Sequence, residues 1–440
     1  MTSGLRPVRH AVAAHPVDFG EFVRGAAGLV VQPRMGFGSQ EHMRAGLAAT
    51  KRAEATTAGT ITLDSYTRVG DLAAAERALR TGAELNGYPI VTHDRTSTRR
   101  MLAGIRDDGF PVQVRHGSAT PRDIVSALVA MRINATEGGP ASYCLPYGRT
   151  PLADSVRNWG EAAARFAGLR DVGVEPHLET FGGCMLGQLC PPSQLVAISV
   201  LEALFFHRHG LRSISVSYAQ QTNPDQDREA VLALRRLCSE LLPLDNWHVV
   251  IYAYMGAYPV TDHGAYRLLG KAAELAVTTG SERLIVKTVA ESHRIPTIEE
   301  NVAALEHAAA VARRTVPTGS ARWVDDSQTY CEAFALVDAV LNLDSDIGRA
   351  LLRAFGRGFL DIPYCVHPDN AGRTRSYLDD DGRLRWAEVG SLPLGRLVRG
   401  GRSRHITSAG LLADLSYVRR TFDAERTTPS AWGRPPLGCG

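Results

Sequence analysis

The feature that most constrains the fold is a unit repeated between about residues 26 and 315: a short apolar run, a polar cluster directly after it, and an amphipathic stretch of helical period. This unit is typical of a β-strand followed by an α-helix. Nine strand candidates share the pattern: 28–34, 59–68, 87–93, 110–116, 132–138, 175–181, 213–220, 247–254 and 283–289. Strands that alternate with helices favour a parallel sheet covered by helices, and about eight such units favour closure into a (β/α)₈ TIM-type barrel.

A doubly wound open sheet is the competing architecture for the same alternation. That fold often carries a dinucleotide-type glycine fingerprint, but the GFGSQ segment at 36–40 lacks the third glycine and an acidic residue at the required distance. Because a barrel needs eight strands, one of the nine candidates is accessory, and the closely spaced runs 87–93 and 132–138 fit the rhythm least well. Helix starts are predicted from capping arrangements at Thr120–Pro121 with Asp123, at Asn223–Pro224, and at Thr297 with Glu300.

The chain divides into three predicted parts: an N-terminal arm over 1–25, a catalytic barrel over 26–316 and an additional C-terminal α+β region over 317–440. The last part begins with a helical segment from Asp325 to Phe355 and continues through turn-rich residues with a hairpin around Asp379–Gly382. Its tail after Thr427 is rich in proline and glycine, so we expect it to be loose.

Composition excludes several functional classes. The 49 Lys+Arg residues nearly balance 46 Asp+Glu residues without a long basic run, which predicts no nucleic-acid or membrane-surface partner. The densest apolar run, Leu195 to Phe206, is too short to span a bilayer and contains Glu202, and the first residues lack a signal-peptide core. Seven scattered cysteines, an odd number, fit a reducing compartment. We therefore expect a cytoplasmic globular enzyme.

Charged residues follow the apolar runs at the positions where a barrel places its chemistry. Arg34, Arg68 and Arg115 each close or follow a strand candidate, and Glu137 closes another. Any one of these arginines could form an ordinary salt bridge at a strand end. Three together would repel one another unless they bind anions, and guanidinium groups match carboxylates bidentately. With Glu137 added, the pattern predicts a ligand with two carboxylates and one ammonium group, such as an acidic amino acid.

Other polar residues near these ends leave two interpretations open. Tyr143 and Tyr147 could bind a ligand or pack on a loop, and His116 could be a donor or a structural residue. Asn86 is typical of a turn, while Lys287 and Glu291 could form a helix-start ion pair. The scarcity of lysine favours function for Lys287, because only three of the 49 basic residues are lysine. The chain carries no pattern typical of a zinc site, a GxSxG nucleophile or a phosphate-binding loop, and we expect no metal ligands from it.

The same segments resemble one family, the epsilon (large) subunit of glutamate mutase, also called methylaspartate mutase. The resemblance spans roughly residues 28–395 and rests on the following strings, in the family's order: QPRMGFG, TLDSYTR, LNGYP, RHGS, EGGPASYCLPY, CPPS, VKTVAESHRIPT, DIPY and DNAG. It implies a (β/α)₈ barrel and an adenosylcobalamin-dependent isomerase that interconverts L-glutamate and (2S,3S)-3-methylaspartate through radicals. The implied route abstracts a γ-hydrogen from the substrate, which then fragments into a glycyl radical and acrylate and recombines.

The resemblance also assigns roles to individual positions. Its substrate-binding positions fall on Arg34, Arg68, Arg115, His116, Glu137, Tyr143 and Tyr147, with the three arginines clamping the carboxylates and Glu137 both meeting the ammonium group and acting as a catalytic base. Its cofactor-binding positions fall on Gly36, Asn86, Pro146, Tyr258, Lys287, Glu291 and Ile295, with Lys287 and Glu291 holding the adenosyl ribose. Tyr258 departs from the family pattern, which has phenylalanine there.

One motif is absent from the sequence. The Asp-x-His-x-x-Gly string, through which related enzymes bind the cobalt of cobalamin, occurs nowhere in the chain. The resemblance therefore implies a separate small sigma subunit that carries the corrin, and a homodimer of large chains within a heterotetramer. Three alternatives remain at this level: a homologue acting on another or carrier-tethered acidic amino acid, a non-catalytic assembly partner, and a cobalamin-independent lyase or isomerase.

Overall fold

Eight parallel strands form the centre of the computed structural model, which describes residues 17–185, 189–317, 326–398 and 406–424. The strands are β1 (Val30–Gln32), β2 (Gly59–Thr62), β3 (Val112–Arg115), β4 (Ala135–Gly138), β5 (His177–Thr180), β6 (Ser213–Ala219), β7 (Trp247–Tyr252) and β8 (Arg283–Ile285). Each strand from β2 to β8 pairs with its neighbours in sequence, and β1 pairs with β8. A parallel bridge between Val31 and Thr57 and a hydrogen bond from Thr62 N to Met35 O (2.9 Å) join β1 to β2. The predicted (β/α)₈ barrel is confirmed.

Helices surround this ring and occupy most of the connections between strands. They are α1 (Phe19–Gly25), α2 (Gln40–Arg52), α3 (Ser65–Val69), α4 (Leu72–Thr81), α5 (Arg95–Leu102), α6 (Arg122–Met131), α7 (Leu152–Ala167), α8 (Pro192–Arg208), α9 (Pro224–Leu241), α10 (Asp262–Thr278) and α11 (Ile298–Arg314). The predicted caps at Asn223 and at Thr297, the latter a full capping box with Glu300, are confirmed. The cap predicted at Thr120 is wrong: Pro121 occupies the N-cap, and Asn158 Oδ1 from α7 accepts the hydrogen bond of Arg122 N instead (3.1 Å).

The candidate strand at 87–93 is the one that does not belong to the barrel. It makes a single bridge, from Tyr88 to Leu63, and then turns, because it meets β2 on the edge facing β1, where Thr62 N already donates to Met35 O. Gly87 lies against the backbone of Leu63, where an added Cβ would overlap it. The candidate at 132–138 does contain a barrel strand. The candidate at 59–68 was too long, since its last residues form α3, which Asp64 caps through its side chain.

The barrel interior below the strand ends is polar. Arg283 of β8 is fully buried and pairs with the equally buried Glu179 of β5. Gln32 and Gln113 contribute further hydrogen bonds to this cluster. At the amino ends of the strands, α1 closes the ring, and the ring of Phe19 packs 5.0 Å from the Arg283 guanidinium. The helix thus seals the buried ions from solvent.

The region after the barrel adds helices and a hairpin: α12 (Gln328–Leu341), α13 (Ile347–Arg357), β9 (Arg375–Leu378), β10 (Leu384–Glu388), α14 (Ser408–Leu415) and α15 (Tyr417–Ala424). The predicted hairpin is confirmed, with Gly382 in the left-handed region at φ +74°. The helical segment predicted from Asp325 to Phe355 consists of two helices, α12 and α13, with a break before Asp346, which caps α13. Asp325 itself and the tail after Thr427 lie outside the described residues. Across the described ranges, no helix has the length and apolarity needed to cross a membrane.

Candidate active site

A cavity of about 550 Å³ opens at the carboxyl ends of the barrel strands. It is called the central cavity below, and loops from seven of the eight strands contribute to its wall. The lining residues are Arg34, Gly36, Thr62, Ser65, Arg68, Val69, Asn86, Arg115, His116, Gly117, Glu137, Tyr143, Tyr147, Phe181, Met255, Glu291, Arg294, Ile295 and Pro296. All seven predicted substrate-binding residues are among them, so side chains that are up to 113 positions apart in the sequence share one cavity.

Glu137 and Arg115 form the buried ion pair at the base of the cavity. Arg115 Nε donates to Glu137 Oε2 over 2.7 Å, and both side chains are almost fully buried. Tyr143 donates to the other carboxylate oxygen, while Tyr252 of β7 lies 2.7 Å from Oε2. Burial lowers the pKa of Arg115, but the groups around it, Glu137 first among them, together outweigh burial and raise that pKa well above its usual range. These contacts hold the pair in one orientation.

The other two arginines approach the cavity from different elements. Arg68 lies on α3, and its Nε donates to Leu63 O over 2.8 Å, which orients the guanidinium. Burial lowers the pKa of Arg68, and the positive charges of Arg34 and Arg115 act in the same direction. Arg34 lies in the loop after β1 and donates to Glu291 Oε2 over 3.3 Å. Each arginine is thus fixed by one contact, and its other N–H groups point away from that contact.

The cavity has unused hydrogen-bond donors and an excess of positive charge. Arg115 Nη1 is buried without a hydrogen-bond partner among the described residues. The charged residues that line the cavity are four arginines, Arg34, Arg68, Arg115 and Arg294, against two carboxylates, Glu137 and Glu291, which gives a formal net charge of +2. A buried guanidinium donor without an acceptor is costly, so the site is complementary to an anion with more than one carboxylate.

His116 lines the cavity as a neutral ring. Burial, reinforced by the nearby Arg68 and Arg115, lowers the pKa of His116 to about 3. Its Nδ1 accepts a hydrogen bond from Ser118 N over 3.0 Å, so the ring proton resides on Nε2. The ring also stacks on Trp159 with 5.6 Å between centroids. His116 can therefore donate a hydrogen bond without adding charge.

The predicted cofactor-binding residues fall into two groups. Gly36, Asn86, Glu291 and Ile295 line the central cavity. Lys287 and Tyr258 lie buried behind Glu291: the Lys287 ammonium is 3.6 Å from Glu291 Oε2 and 4.7 Å from the centre of the Tyr258 ring. Burial lowers the pKa of Lys287 to about 8, although Glu291 acts in the opposite direction.

Glu291 joins the two predicted sets of residues, because the same oxygen contacts Arg34 and Lys287. Pro146 does not line the cavity itself. It precedes Tyr147, which is half exposed at the rim of the cavity. Six of the seven predicted cofactor-binding residues therefore line the central cavity or lie directly behind its wall, and Pro146 lies next to its rim.

Sequence reasoning missed Tyr252 and Glu179, which lie directly below Glu137. Tyr252 contacts the carboxylates of both Glu137 and Glu179. Glu179 had a readable signal, since a carboxylate inside an apolar strand candidate is the same pattern that singled out Glu137, and the two are register partners on β4 and β5. Tyr252 had none, because its segment WHVVIYAY is typical of an ordinary buried strand.

Comparison with known proteins places these features in one family. A family model described as methylaspartate mutase E chain (MutE) matches residues 18–412. The glutamate mutase epsilon subunit of Halobacterium salinarum is 33% identical over 345 residues, which cover 76% of this chain and 71% of that protein. The proteins of the same name from Yersinia enterocolitica and Desulfitobacterium hafniense are each 29% identical, over 76% and 79% of this chain and 72% and 75% of their own. The solved YdjI aldolase of Escherichia coli K12 aligns at 14% identity with a TM-score of 0.32, over 68% of this chain and 95% of that one. With a family match that spans most of its length, this chain belongs to the methylaspartate mutase E chain family, the family of the glutamate mutase epsilon subunits.

Proposed function

We propose that this protein is the large catalytic subunit of a glutamate mutase, an isomerase that interconverts L-glutamate and (2S,3S)-3-methylaspartate with adenosylcobalamin. Family membership supports the class of enzyme. The observation that supports the proposed substrate is the convergence of Arg34, Arg68 and Arg115 with Glu137 in one cavity of about 550 Å³. These charges complement an amino acid with two carboxylates and one ammonium group.

The three arginines bind the substrate carboxylates in this proposal. Arg115 offers Nη1, which has no hydrogen-bond partner among the described residues. Arg68 keeps its Nη groups available, because in the part of the chain that the structure describes only its Nε is hydrogen-bonded, to Leu63 O. A guanidinium presents two parallel donors to a carboxylate and so fixes the orientation of the bound molecule as well as its position. His116 adds a neutral donor, since its pKa of about 3 keeps the ring uncharged at neutral pH.

Glu137 receives the substrate ammonium group and can exchange a proton with it. Its Oε2 already accepts from Arg115 and Tyr252, whereas Oε1 accepts only from Tyr143 in the described contacts. Oε1 therefore retains a lone pair that faces the same cavity as the arginines. Tyr143 and Phe181, whose ring centroids are 4.7 Å apart, cover this corner and exclude water from it.

The residues present fit adenosylcobalamin at the outer side of the cavity. Gly36 lines this side, where the chain after β1 packs so closely on β2 that an added Cβ would overlap the backbone of Thr62. Glu291 and Lys287 form an ion pair whose carboxylate can accept from a ribose hydroxyl, and Asn86 and Ile295 line the same side, with Pro146 and Tyr258 next to them. When bound, this cofactor supplies the carbon-centred radical that starts the rearrangement. The chain's own task is to hold both substrate fragments in place until they recombine.

A second subunit completes the proposed enzyme. The chain lacks the Asp-x-His-x-x-Gly string for cobalt ligation, so we propose that a small cobalamin-binding sigma subunit carries the corrin and docks on the open end of the barrel, within a heterotetramer built on a homodimer of large chains. The relatives named epsilon subunit are consistent with a multi-subunit enzyme. We place the enzyme in the cytoplasm, in keeping with its seven scattered cysteines.

An anaerobic reconstitution tests this proposal. The purified chain is mixed with a small cobalamin-binding subunit and adenosylcobalamin, and conversion of L-glutamate to 3-methylaspartate is followed by NMR with each component omitted in turn. Conversion that requires all three components supports the proposal, and Glu137→Gln serves as the variant expected to assemble without turning over.

Two other results lead to different functions. Assembly without conversion would overturn the proposed substrate and favour another or carrier-tethered acidic amino acid. Failure to bind the small subunit and the cofactor would overturn the cobalamin assignment, and would leave a cobalamin-independent lyase or isomerase as the alternative.

A further inference from the structure

Glu202 is a fully buried carboxylate on a helix whose other buried residues are mostly apolar. It lies on α8, between Leu201 and Ala203, and its side chain is 0% exposed. α8 packs behind β5 and β6, outside the ring of strands and away from solvent. A charged group in such a position requires hydrogen bonds that compensate for the loss of water.

The hydrogen bonds to Glu202 come from two loops that also form the wall of the central cavity. Oε1 accepts from Ala141 N (3.3 Å) and Ser142 N (2.9 Å), which belong to the loop after β4. Oε2 accepts from Ser142 Oγ (3.0 Å) and from Phe181 N (3.3 Å), directly after β5. One side chain therefore joins the ends of two neighbouring strands.

The chemistry of these contacts specifies a carboxylate. All four partners donate, and only an ionised carboxylate accepts at both oxygens without presenting a hydrogen of its own. Gly139 lies so close that an added Cβ would overlap the Glu202 carboxylate, so the loop is shaped around this group. Burial raises the pKa of Glu202 to about 7, while the hydrogen bonds from Ser142, Phe181 and Ala141 oppose that shift.

The two loops held by Glu202 carry residues of the central cavity. Ser142 is followed by Tyr143, which bonds to Glu137, and Phe181 is itself a lining residue. The Phe181 ring contacts the rings of Tyr143 (4.7 Å between centroids) and of Tyr252 (5.6 Å), and both tyrosines contact the Glu137 carboxylate. A shift of either loop would therefore move the groups that surround Glu137.

We infer that Glu202 is a positioning residue: its carboxylate ties the loop that carries Tyr143 to the end of β5 that carries Phe181, and so sets the geometry around Glu137. The expected effect on turnover rests on the proposed function, whereas the tie between the two loops can be measured without it. Glu202 contacts no residue that we assign to the substrate, so it acts through Tyr143 and Phe181.

Asp227 provides a matched control because it is another buried carboxylate with a pKa raised by burial to about 7. It lies on α9 and accepts from Tyr218 Oη (2.8 Å) and Gln221 N (3.0 Å). None of these three residues lines the central cavity. Asp227→Asn therefore removes a comparable buried charge at a distance from the site.

The test compares wild type, Glu202→Gln, Ser142→Ala and Asp227→Asn in the full chain, by amide hydrogen exchange and by the steady-state kinetics of the reconstituted enzyme. In Glu202→Gln we expect exchange in peptides covering 139–147 and 179–185 to accelerate about tenfold or more, since an NH2 group replaces one of the two accepting oxygens and opposes the N–H donors there. We expect kcat to fall on the order of tenfold to a hundredfold through misplacement, with KM for L-glutamate changed less because the arginines are intact. Ser142→Ala, which removes one donor, should shift exchange in the same direction by less.

Unchanged exchange in both peptides of Glu202→Gln, or equal acceleration there in Asp227→Asn, would overturn the inference. If Glu202→Gln does not fold, Ser142→Ala provides the test. Exchange at the wild-type rate in both peptides of Ser142→Ala would then overturn the inference. A wild-type chain that converts no glutamate would contradict the proposed function alone, because the exchange comparison still decides whether Glu202 ties the two loops together.

Discussion

Arg34, Arg68 and Arg115 reach the central cavity from three structural settings: a loop, a short helix and the last residue of a strand. Each has one contact that fixes its direction, to Glu291, Leu63 and Glu137 respectively. The strand-end pattern was enough to predict that they meet. It could not predict these contacts, since each partner is set by how neighbouring loops pack.

Arg68→Lys should weaken substrate capture. A lysine ammonium is a point charge that cannot form two parallel hydrogen bonds to a carboxylate, and it also loses the bond to Leu63 O. We expect KM for L-glutamate to rise about tenfold, with a smaller change in kcat, as measured by steady-state kinetics of the reconstituted enzyme. The exposed Arg77→Lys on α4 is the control, and unchanged turnover of Arg68→Lys at low substrate would contradict the proposed clamp.

His116 should remain neutral throughout the physiological pH range. Its pKa is lowered by burial to about 3, against an ordinary value of 6.5, so the unfolded state binds the proton over the interval between these values. The contribution of this ring to the free energy of unfolding therefore falls as the pH drops from 6.5 towards 3. We expect the His116 ring signals in NMR to stay constant between about pH 5 and pH 8. A titration midpoint of His116 within that pH range would contradict a buried ring next to Arg68 and Arg115.

At the scale of elements, the loop after β1 packs against the end of β2 more closely than side chains normally allow. Thr62 N donates to Met35 O, and this contact continues the seam between the first two strands up to the cavity. Gly36 follows immediately and lies against the backbone of Thr62. The resemblance assigned Gly36 to the cofactor side, and the structure adds a second reason for glycine there, because the seam closes only without a side chain.

Gly36→Ala should destabilise the protein by about 1–3 kcal/mol, since the new Cβ would overlap backbone that cannot move without opening the seam. Urea unfolding followed by circular dichroism measures this change. Gly28→Ala, just before β1, is the matched control, because an added Cβ there meets nothing within 4 Å. Equal stability of the two variants would show that the seam adapts.

The accessory segment at 87–93 shows why the spacing of apolar residues alone could not identify the barrel strands. Its apolar residues are buried, but they pack against Thr98 and Leu63 rather than pairing along a strand. A buried segment shows the same run of apolar residues whether or not it pairs along a strand. The outcome depends on which edges of β2 are free: β3 pairs with one edge over four register positions, and the β1 side occupies the other, so 87–93 makes one bridge only.

At the scale of the whole molecule, a buried ionic cluster lies across the barrel below the site. Arg283 and Glu179 pair at its centre, and Tyr252 connects Glu179 to Glu137. α1 seals the cluster from the other end. The substrate pocket and the barrel core therefore share one hydrogen-bond network, which makes the orientation of Glu137 depend on the closure of the ring.

Glu179→Ala should destabilise the barrel strongly, because it leaves the fully buried Arg283 without its carboxylate. Loss of one partner of such a pair typically costs about 3–5 kcal/mol. The control is Glu161→Gln, which breaks an exposed pair with Arg122 and should cost at most about 1 kcal/mol. Chemical denaturation of both variants tests this, and similar midpoints would mean that water or rearrangement compensates at the barrel centre.

The sequence by itself determined the class of fold, the order of the strands and most of the cavity's charged residues, although not Arg294. It could do so because local periodicity defines strands and helices, and because parallel strands bring their carboxyl ends to one face. Tertiary structure alone decided which candidate stayed outside the ring and how Glu202 and Tyr252 reach the site. Those outcomes depend on contacts between residues far apart in the chain, such as Glu137 with Tyr252 at 115 positions, and no local pattern encodes them.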